Sequence, residues 1–245
     1  MNKEQVTWYS EWFNSPFYHI LYKNHDFTEA EFFIDHLVDK LALSPNTKIA
    51  DIACGRGRHS IYLNKKGFEV TGLDLSPNSI DFANLHANPS LKFSVHDMRK
   101  VFKKEYFDVV LNLFTSFGYF DEDSDNQKAI TAMAENLKPN GYFILDFMNT
   151  QKVINSLVYS ETKIEQEIVF NITRRIKNNH IIKSIQFEHM DEQYFFEEKV
   201  KAITYQDFLN YFQSTALYDI NVFGNYQLEP YTPESSTRMI FILRK

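Results

Sequence analysis

Short apolar runs alternate with amphipathic stretches through the first 150 positions of the chain. Thr47–Ala53 is almost continuously apolar apart from Lys48 and Asp51 and predicts a buried strand. Gly57–Lys66 follows with helical spacing and is closed by Gly67. Glu69–Leu75 predicts a second strand, and Ser76-Pro77 opens a helix to about Ala87, with Ser as N-cap and Pro at the first helical position. Leu91–Val95 and Phe107–Phe114 predict a third and a fourth strand. Asp125–Leu137 predicts a helix, stopped by the turn signal Lys138-Pro139-Asn140-Gly141, and Tyr142–Phe147 a fifth strand. Strands spaced by helical patterns of roughly 10–15 residues imply βαβ units and a parallel sheet, here apolar on both faces as a helix-covered sheet must be.

The pattern changes near residue 160. Gln166–Lys177, Ile181–Met190 and Tyr194–Thr204 predict an antiparallel meander, turning at Asn178-Asn179 and at Asp191-Glu192-Gln193. Tyr205–Ala216 then predicts a helix carrying Phe208, Leu209, Phe212 and Leu217 on one face. Tyr218–Tyr226 and Arg238–Arg244 predict two final strands, as a hairpin or as a return to the main sheet. The fold class is therefore α/β: a doubly wound, mostly parallel sheet with helices on both faces, plus an antiparallel β insertion or cap.

Composition narrows the function classes. The chain has 245 residues with only 7 Gly and 7 Pro, which excludes collagen-like and linker-like readings. An aromatic share of 16% promises a well-filled core. No apolar run approaches the roughly 18 residues of a membrane span, and Met1-Asn2-Lys3-Glu4-Gln5 lacks the apolar stretch of a signal peptide. A single cysteine, Cys54, cannot form an internal disulfide, which fits a reducing cytoplasm. The net charge of −6 offers no global attraction to nucleic acid. No metal-ligating pattern stands out.

The strongest chemical signal is Asp51-Ile52-Ala53-Cys54-Gly55-Arg56-Gly57-Arg58-His59-Ser60, at a strand-to-helix turn. Close-approach glycines and a helix N-terminus there favour a polar or anionic ligand. Asp74, at the end of the next strand, is placed to accept hydrogen bonds from ribose hydroxyls. A dinucleotide turn would carry a third glycine or alanine where this chain has Ser60. Asp51 would oppose a pyrophosphate and welcome an ammonium group. S-adenosylmethionine (SAM) supplies both a ribose and an ammonium. An NAD(P)-dependent oxidoreductase and a non-catalytic SAM-binding module remain the alternatives. Asp51 and Asp74 as plain helix caps, and Arg58 and His59 as a solvated first turn, are the structural readings of the same residues.

The ordered set resembles the class I SAM-dependent methyltransferases. The matching residues are Asp51–Gly57 for the first motif, Asp74-Leu75-Ser76 for the ribose motif and His96-Asp97-Met98 for the adenine segment. Phe107–Leu113 matches the fourth strand and Leu137–Tyr142 the entry to the fifth. The resemblance covers about residues 40 to 150 and implies a Rossmann-like core. It places Asp51 near the methionine ammonium, and Ala53, Cys54, Gly55 and Gly57 along the turn. Arg58 or His59 would meet the donor carboxylate, Asp74 the ribose and Leu75 the adenine face. Asp97 and the Met98 amide would meet the adenine edge. Asn112, Leu113 and Thr115 would line the path between donor and acceptor.

In the same resemblance, N-terminal aromatics form a lid, with Tyr18 as the first candidate and Tyr9 or Trp12 behind it; simple packing is the alternative for this cluster. The implied division is a SAM-binding core with its lid at 1–160, a β insertion capping the substrate at 161–204, and a return to the core at 205–245. Phe170, Phe187, His189 and Tyr194 of the insertion, and Asp146 and Asn149 after the fifth strand, are candidate substrate contacts. The product would be S-adenosylhomocysteine (SAH). The fourth-strand end Asn112-Leu113-Phe114-Thr115 lacks the Asn/Asp-Pro-Pro-aromatic signature of enzymes that methylate amino groups of nucleic acids. The acceptor is therefore expected to be a small molecule, acted on by a cytoplasmic monomer or homodimer. No general base is assigned.

Overall fold

The computed structural model describes residues 8–22 and 27–245. In chain order the elements are α1 (Trp8–Asn14), α2 (Pro16–Leu21), α3 (Phe27–Leu41), β1 (Lys48–Ile52), α4 (Arg58–Lys65), β2 (Glu69–Asp74), α5 (Pro77–Asn84), β3 (Leu91–Val95) and β4 (Phe107–Asn112). Then follow α6 (Asp123–Asn136), β5 (Leu137–Met148), α7 (Thr150–Asn155), β6 (Ser160–Glu165), β7 (Ile168–Lys177), β8 (His180–His189), β9 (Glu192–Lys201), α8 (Tyr205–Gln213), β10 (Tyr218–Phe223) and β11 (Arg238–Arg244).

The main sheet runs β10-β11-β5-β4-β1-β2-β3. Strands β1 to β5 pair in parallel, while β11 lies antiparallel to β5 and β10 antiparallel to β11. The two last strands thus do both things open to them: they form an antiparallel pair and return to the sheet. The sheet is apolar on both faces because helices cover both. Phe33, Ile34 and Leu37 of α3, Leu63 of α4 and Ile80 of α5 pack with Ile49, Val70 and Val109 on one side. Ile130 and Met133 of α6 and Phe208 and Phe212 of α8 pack with Val110, Leu145 and Phe147 on the other. Each such side chain contributes about 1.5–3 kcal/mol by leaving water.

The second sheet, β6-β7-β8-β9, is antiparallel throughout. Its alternation has a clear destination. Ile168, Phe170 and Ile172 of β7 and Ile185 and Phe187 of β8 are buried against Trp12 and Leu21 of the N-terminal helices. Phe170 and Phe187, expected as substrate contacts, are core residues of this layer. Tyr194 and His189 pack there too, with Phe17 ring centroids at 4.7 Å and 5.4 Å. They face the N-terminal helices rather than the cavity described below.

Local signals were overridden in two places. The turn signal Lys138-Pro139-Asn140-Gly141 lies inside β5, with Asn140 left-handed (φ 64°) and a register shift against β4. Pairing with β11 absorbs the bend, and Lys245 donates its amide to the Gly141 carbonyl. The fourth strand ends at Asn112 because Phe114 and Thr115 are both left-handed (φ 64° and 62°). Helix α3, helix α7 and strand β6 were not anticipated.

Candidate functional site

The site grows from the turn after β1. Ala53, Gly55 and Gly57 take positive φ (59°, 56° and 82°), which reverses the chain into α4. Gly57 is doubly constrained: a Cβ there would come within 2.7 Å of the Phe93 ring. Asp74, at the end of β2, pins this turn to the next. Its Oδ2 accepts the Gly55 amide at 2.8 Å and its Oδ1 accepts the Ser76 amide at 2.8 Å. Ser76 then caps α5, its Oγ accepting the Ser79 amide at 3.1 Å with Pro77 at the first helical position. The same hydroxyl donates to Asn14 of α1, which ties the N-terminal helices to the turn.

A cavity of about 760 Å³ opens between these strand ends and the N-terminal helices. That is the scale of a small-molecule site. Of the residues singled out in the sequence, Tyr18, Asp51, Ala53, Cys54, Gly55, Arg58, Asp74, Leu75, Asp97, Met98 and Leu113 line it. Tyr9 and His59 line it as well.

Three candidates sit behind the wall. Gly57 packs on Phe93. Asn112 is fully buried, and its Nδ2 donates to the carbonyls of Ile52 and Ser116 at 3.1 and 3.2 Å. Thr115 Oγ1 accepts from Arg238 Nη2 at 2.9 Å and from the Met148 amide at 3.1 Å. Asp146 and Asn149 also point elsewhere. Asp146 accepts from the Phe114 amide and Arg238 Nε at 2.8 and 2.7 Å, and Asn149 caps α7. Trp12 is fully buried, its indole N–H donating to Glu198.

Sequence reasoning missed the segment after β4. Phe114, Ser116, Tyr119 and Phe120 line the cavity, as do Arg56 and Phe82 from the other side. The alternation of aromatic and small residues from Phe114 to Phe120 is the signal that marks this wall. Tyr119 is held there by donating to the Thr115 carbonyl at 2.7 Å.

Charge within the site is unevenly satisfied. Burial pushes the Asp51 carboxyl up to about 6; the Ser60 hydroxyl, donating at 2.6 Å, works against this, Asp74 adds to it and Arg58 opposes it. It is a buried carboxylate short of a cation. Burial, with Arg58 beside it, lowers His59 to about 3, and His59 Nε2 has no hydrogen-bond partner among the described residues. Burial raises the Cys54 thiol well above its ordinary value, which keeps it protonated and unreactive. The Arg58 guanidinium lies 4.5 Å from the Phe114 ring centroid. Asp97 is gripped by Arg99 through Nε and Nη2, at 3.0 and 2.7 Å, and by the Arg99 amide. Among the described residues no group of His, Cys, Asp and Glu is arranged to hold a metal ion, and no helix is long and apolar enough to cross a membrane.

Residues 49–141 match the family described as "Methyltransferase domain". The putative methyltransferase YqeM of Bacillus subtilis is 34% identical over 115 residues, 46% of this chain and 47% of that protein. The glycine/sarcosine N-methyltransferase of Parasynechococcus marenigrum is 34% identical over 131 residues, 51% of this chain and 45% of that protein. The chain thus spans about half the length of the curated relatives it matches. Two solved structures share the fold across nearly the whole chain. A SAM-dependent methyltransferase from Clostridium acetobutylicum superposes with a TM-score of 0.77 at 18% identity, covering 92% of this chain and 94% of that one. The SAM-bound amino pentose methyltransferase CalS10 from Micromonospora echinaspora gives 0.72 at 16%, covering 94% and 97%. Residues 49–141 thus match a methyltransferase domain, and the chain as a whole shares the fold of solved SAM-dependent methyltransferases.

Proposed function

We propose that the protein transfers a methyl group from SAM to a small-molecule acceptor, leaving SAH. One observation carries the reading: Asp51 and Asp74 stand at the ends of adjacent strands, a glycine turn lies between them, and both carboxylates line one cavity. An ammonium group relieves the buried charge of Asp51. Ribose hydroxyls use the acceptor lone pairs that Asp74 keeps after binding two amides. A pyrophosphate would meet Asp51 at close range, which disfavours the nicotinamide alternative.

The donor's sulfonium supplies the leaving group, so the chain's own work is to bind, orient and exclude water. Ala53, Cys54 and Gly55 give the turn along which the donor would lie. Arg58, with His59 Nε2 beside it, would meet the donor carboxylate. Leu75 and Met98 would flank the adenine and Asp97 would stand at its edge, with its acidity fixed by Arg99. Leu113 and Tyr18 would line the meeting point of donor and acceptor. The division of labour follows: residues 1–160 hold the donor and the lid, 161–204 brace the lid, and 205–245 complete the sheet. A cavity of about 760 Å³ walled by N-terminal aromatics suits a small acceptor, and similar proteins are named for glycine/sarcosine and for an amino pentose. We assign the reaction to the cytoplasm, where Cys54 stays a thiol.

Thermal denaturation with SAM, SAH, NAD and NADP tests this. SAH at 100 times its Kd should add about 2.7 kcal/mol of stability. Stabilisation by a nicotinamide cofactor and by neither sulfur compound overturns the reading. Tight SAH binding without methyl transfer to any of a broad set of acceptors would instead favour the non-catalytic module.

A further inference from the structure

The aromatic end of the cavity has a chemistry of its own. Tyr9, Phe13, Tyr18, Tyr22 and Tyr119 line it. The Tyr18 ring is clamped by four neighbours: Trp12, Phe13 and His19 edge-on at 5.7, 5.1 and 5.2 Å, and Tyr22 tilted at 4.9 Å. Its position is therefore set before any ligand arrives. The hydroxyls of this wall differ in their engagements. Tyr22 donates to Glu198 Oε1 at 2.5 Å, and Tyr119 donates to the Thr115 carbonyl. The Tyr18 hydroxyl makes no hydrogen bond with any described residue.

A half-buried carboxylate stands behind this wall. Glu198 of β9 takes both the Tyr22 hydroxyl and the Trp12 indole N–H, so it fixes α1 and the end of α2 to the second sheet. Of the cations near Tyr18, Lys183 lies 3.6 Å from Glu198 and Arg99 is held by Asp97 and Asp125. Arg58, which also acts on Tyr18, is the cation the proposed function gives to the donor carboxylate. Burial raises the Tyr18 phenol, and the charges of Glu198 and Asp74 raise it further against the opposing charge of Arg58, so its hydroxyl stays neutral beside two carboxylates.

We propose that the methyl acceptor is an amine and that the Tyr18 hydroxyl is the specificity-determining group that receives its N–H. The inference rests on the methyltransferase reading and names the substrate class of that site. The neutral amine's lone pair forms the new N–C bond, the C–S bonding pair returns to sulfur, and the positive charge moves from sulfur to nitrogen. The product leaves as a methylammonium ion and sheds its proton to water. Tyrosine ring faces and a fixed hydroxyl oxygen stabilise that charge where it appears, which is where stabilisation accelerates the reaction.

The test is calorimetric and needs no turnover. Full-length protein saturated with SAH is titrated with three matched probes: benzylamine, benzyl alcohol and benzoate. Benzylamine should bind at least tenfold more tightly than either of the others. Tyr18→Phe, which keeps the ring, should remove most of that preference, and Glu198→Gln should reduce it. SAH affinity and the melting transition of each variant control for folding. Equal binding of the alcohol, tighter binding of benzoate, no binding of benzylamine, or an unchanged preference in Tyr18→Phe overturns the amine assignment while SAH binding leaves the methyltransferase reading standing. Failure of the wild-type protein to bind SAH sinks that reading itself.

Discussion

Asp51→Asn separates the demands of folding from those of the ligand. Asp51 is 1% exposed, and burial lifts its carboxyl from 3.8 to about 6. A raised carboxyl destabilises the folded state wherever it is ionised. The penalty is absent below pH 3.8, grows through the interval up to about 6, and is complete above it. At 1.36 kcal/mol per unit, a rise from 3.8 to about 6 amounts to roughly 3 kcal/mol at pH 7. Asparagine keeps the shape and can still accept from Ser60 Oγ, but its amide carries its own burial cost, so a net gain of about 1–3 kcal/mol is expected. For a chain of this size that is a Tm increase on the order of 2–12 °C at pH 7, shrinking to little near pH 4. His59 pulls the other way, because a histidine held down to about 3 withdraws stability as pH falls below 6.5. Subtracting wild type from variant at each pH removes that shared contribution. The ligand reverses the order. In the wild type, SAH affinity should rise from pH 5 to about pH 6.5 as the carboxylate ionises to meet the ammonium. In Asp51→Asn it should be weaker and flat across that window. Equal stability of the two proteins at pH 7, with the same pH profile of SAH affinity, would refute the argument that Asp51 is a buried charge awaiting a cation.

Other perturbations test the surrounding architecture. Asp74→Ala should lower SAH affinity at least tenfold by calorimetry. It should also cost about 1–3 kcal/mol in urea denaturation, because the Gly55 and Ser76 amides lose their acceptor. Gly57→Ala should destabilise by about 2–4 kcal/mol, since a left-handed alanine also drives its Cβ to 2.7 Å from Phe93; Phe93→Leu in the same chain should recover the overpacking part only. Asp146→Asn leaves the Arg238 guanidinium without its carboxylate and should cost about 3–5 kcal/mol, loosening the Phe114–Thr115 turn. Unchanged denaturation midpoints in any of these three would count against the corresponding contact.

What the sequence revealed and what it hid divide along a physical line. The strands from Thr47 to Phe147 were legible because a parallel strand covered on both faces must be apolar throughout, and that property is local. The same holds for the Asp51–Ser60 turn and Asp74, whose spacing sets their relation through two adjacent strands. Helix α3 was legible in principle: Phe33, Ile34 and Leu37 repeat with helical period and are all buried. The entry to β5 misled because Pro139 and Gly141 signal a turn, while pairing with β4 and β11 keeps the chain in the sheet.

The wall after β4 was hidden for a different reason. Whether Asn112 and Thr115 or Ser116 and Tyr119 face the cavity depends on the left-handed pair Phe114–Thr115. That pair is held by the carboxylate of Asp146 and the guanidinium of Arg238, residues remote in sequence. No window around residue 115 contains that information. The second sheet poses the same problem. Its inward aromatics read as substrate contacts until Trp12, Phe17 and Leu21 are seen to occupy the space in front of them. The second sheet buries its apolar face against the N-terminal helices. Through Glu198 it holds Trp12 and Tyr22, whose rings pack on Tyr18; on the proposed reading, substitutions on its buried face should change acceptor affinity before they change donor affinity.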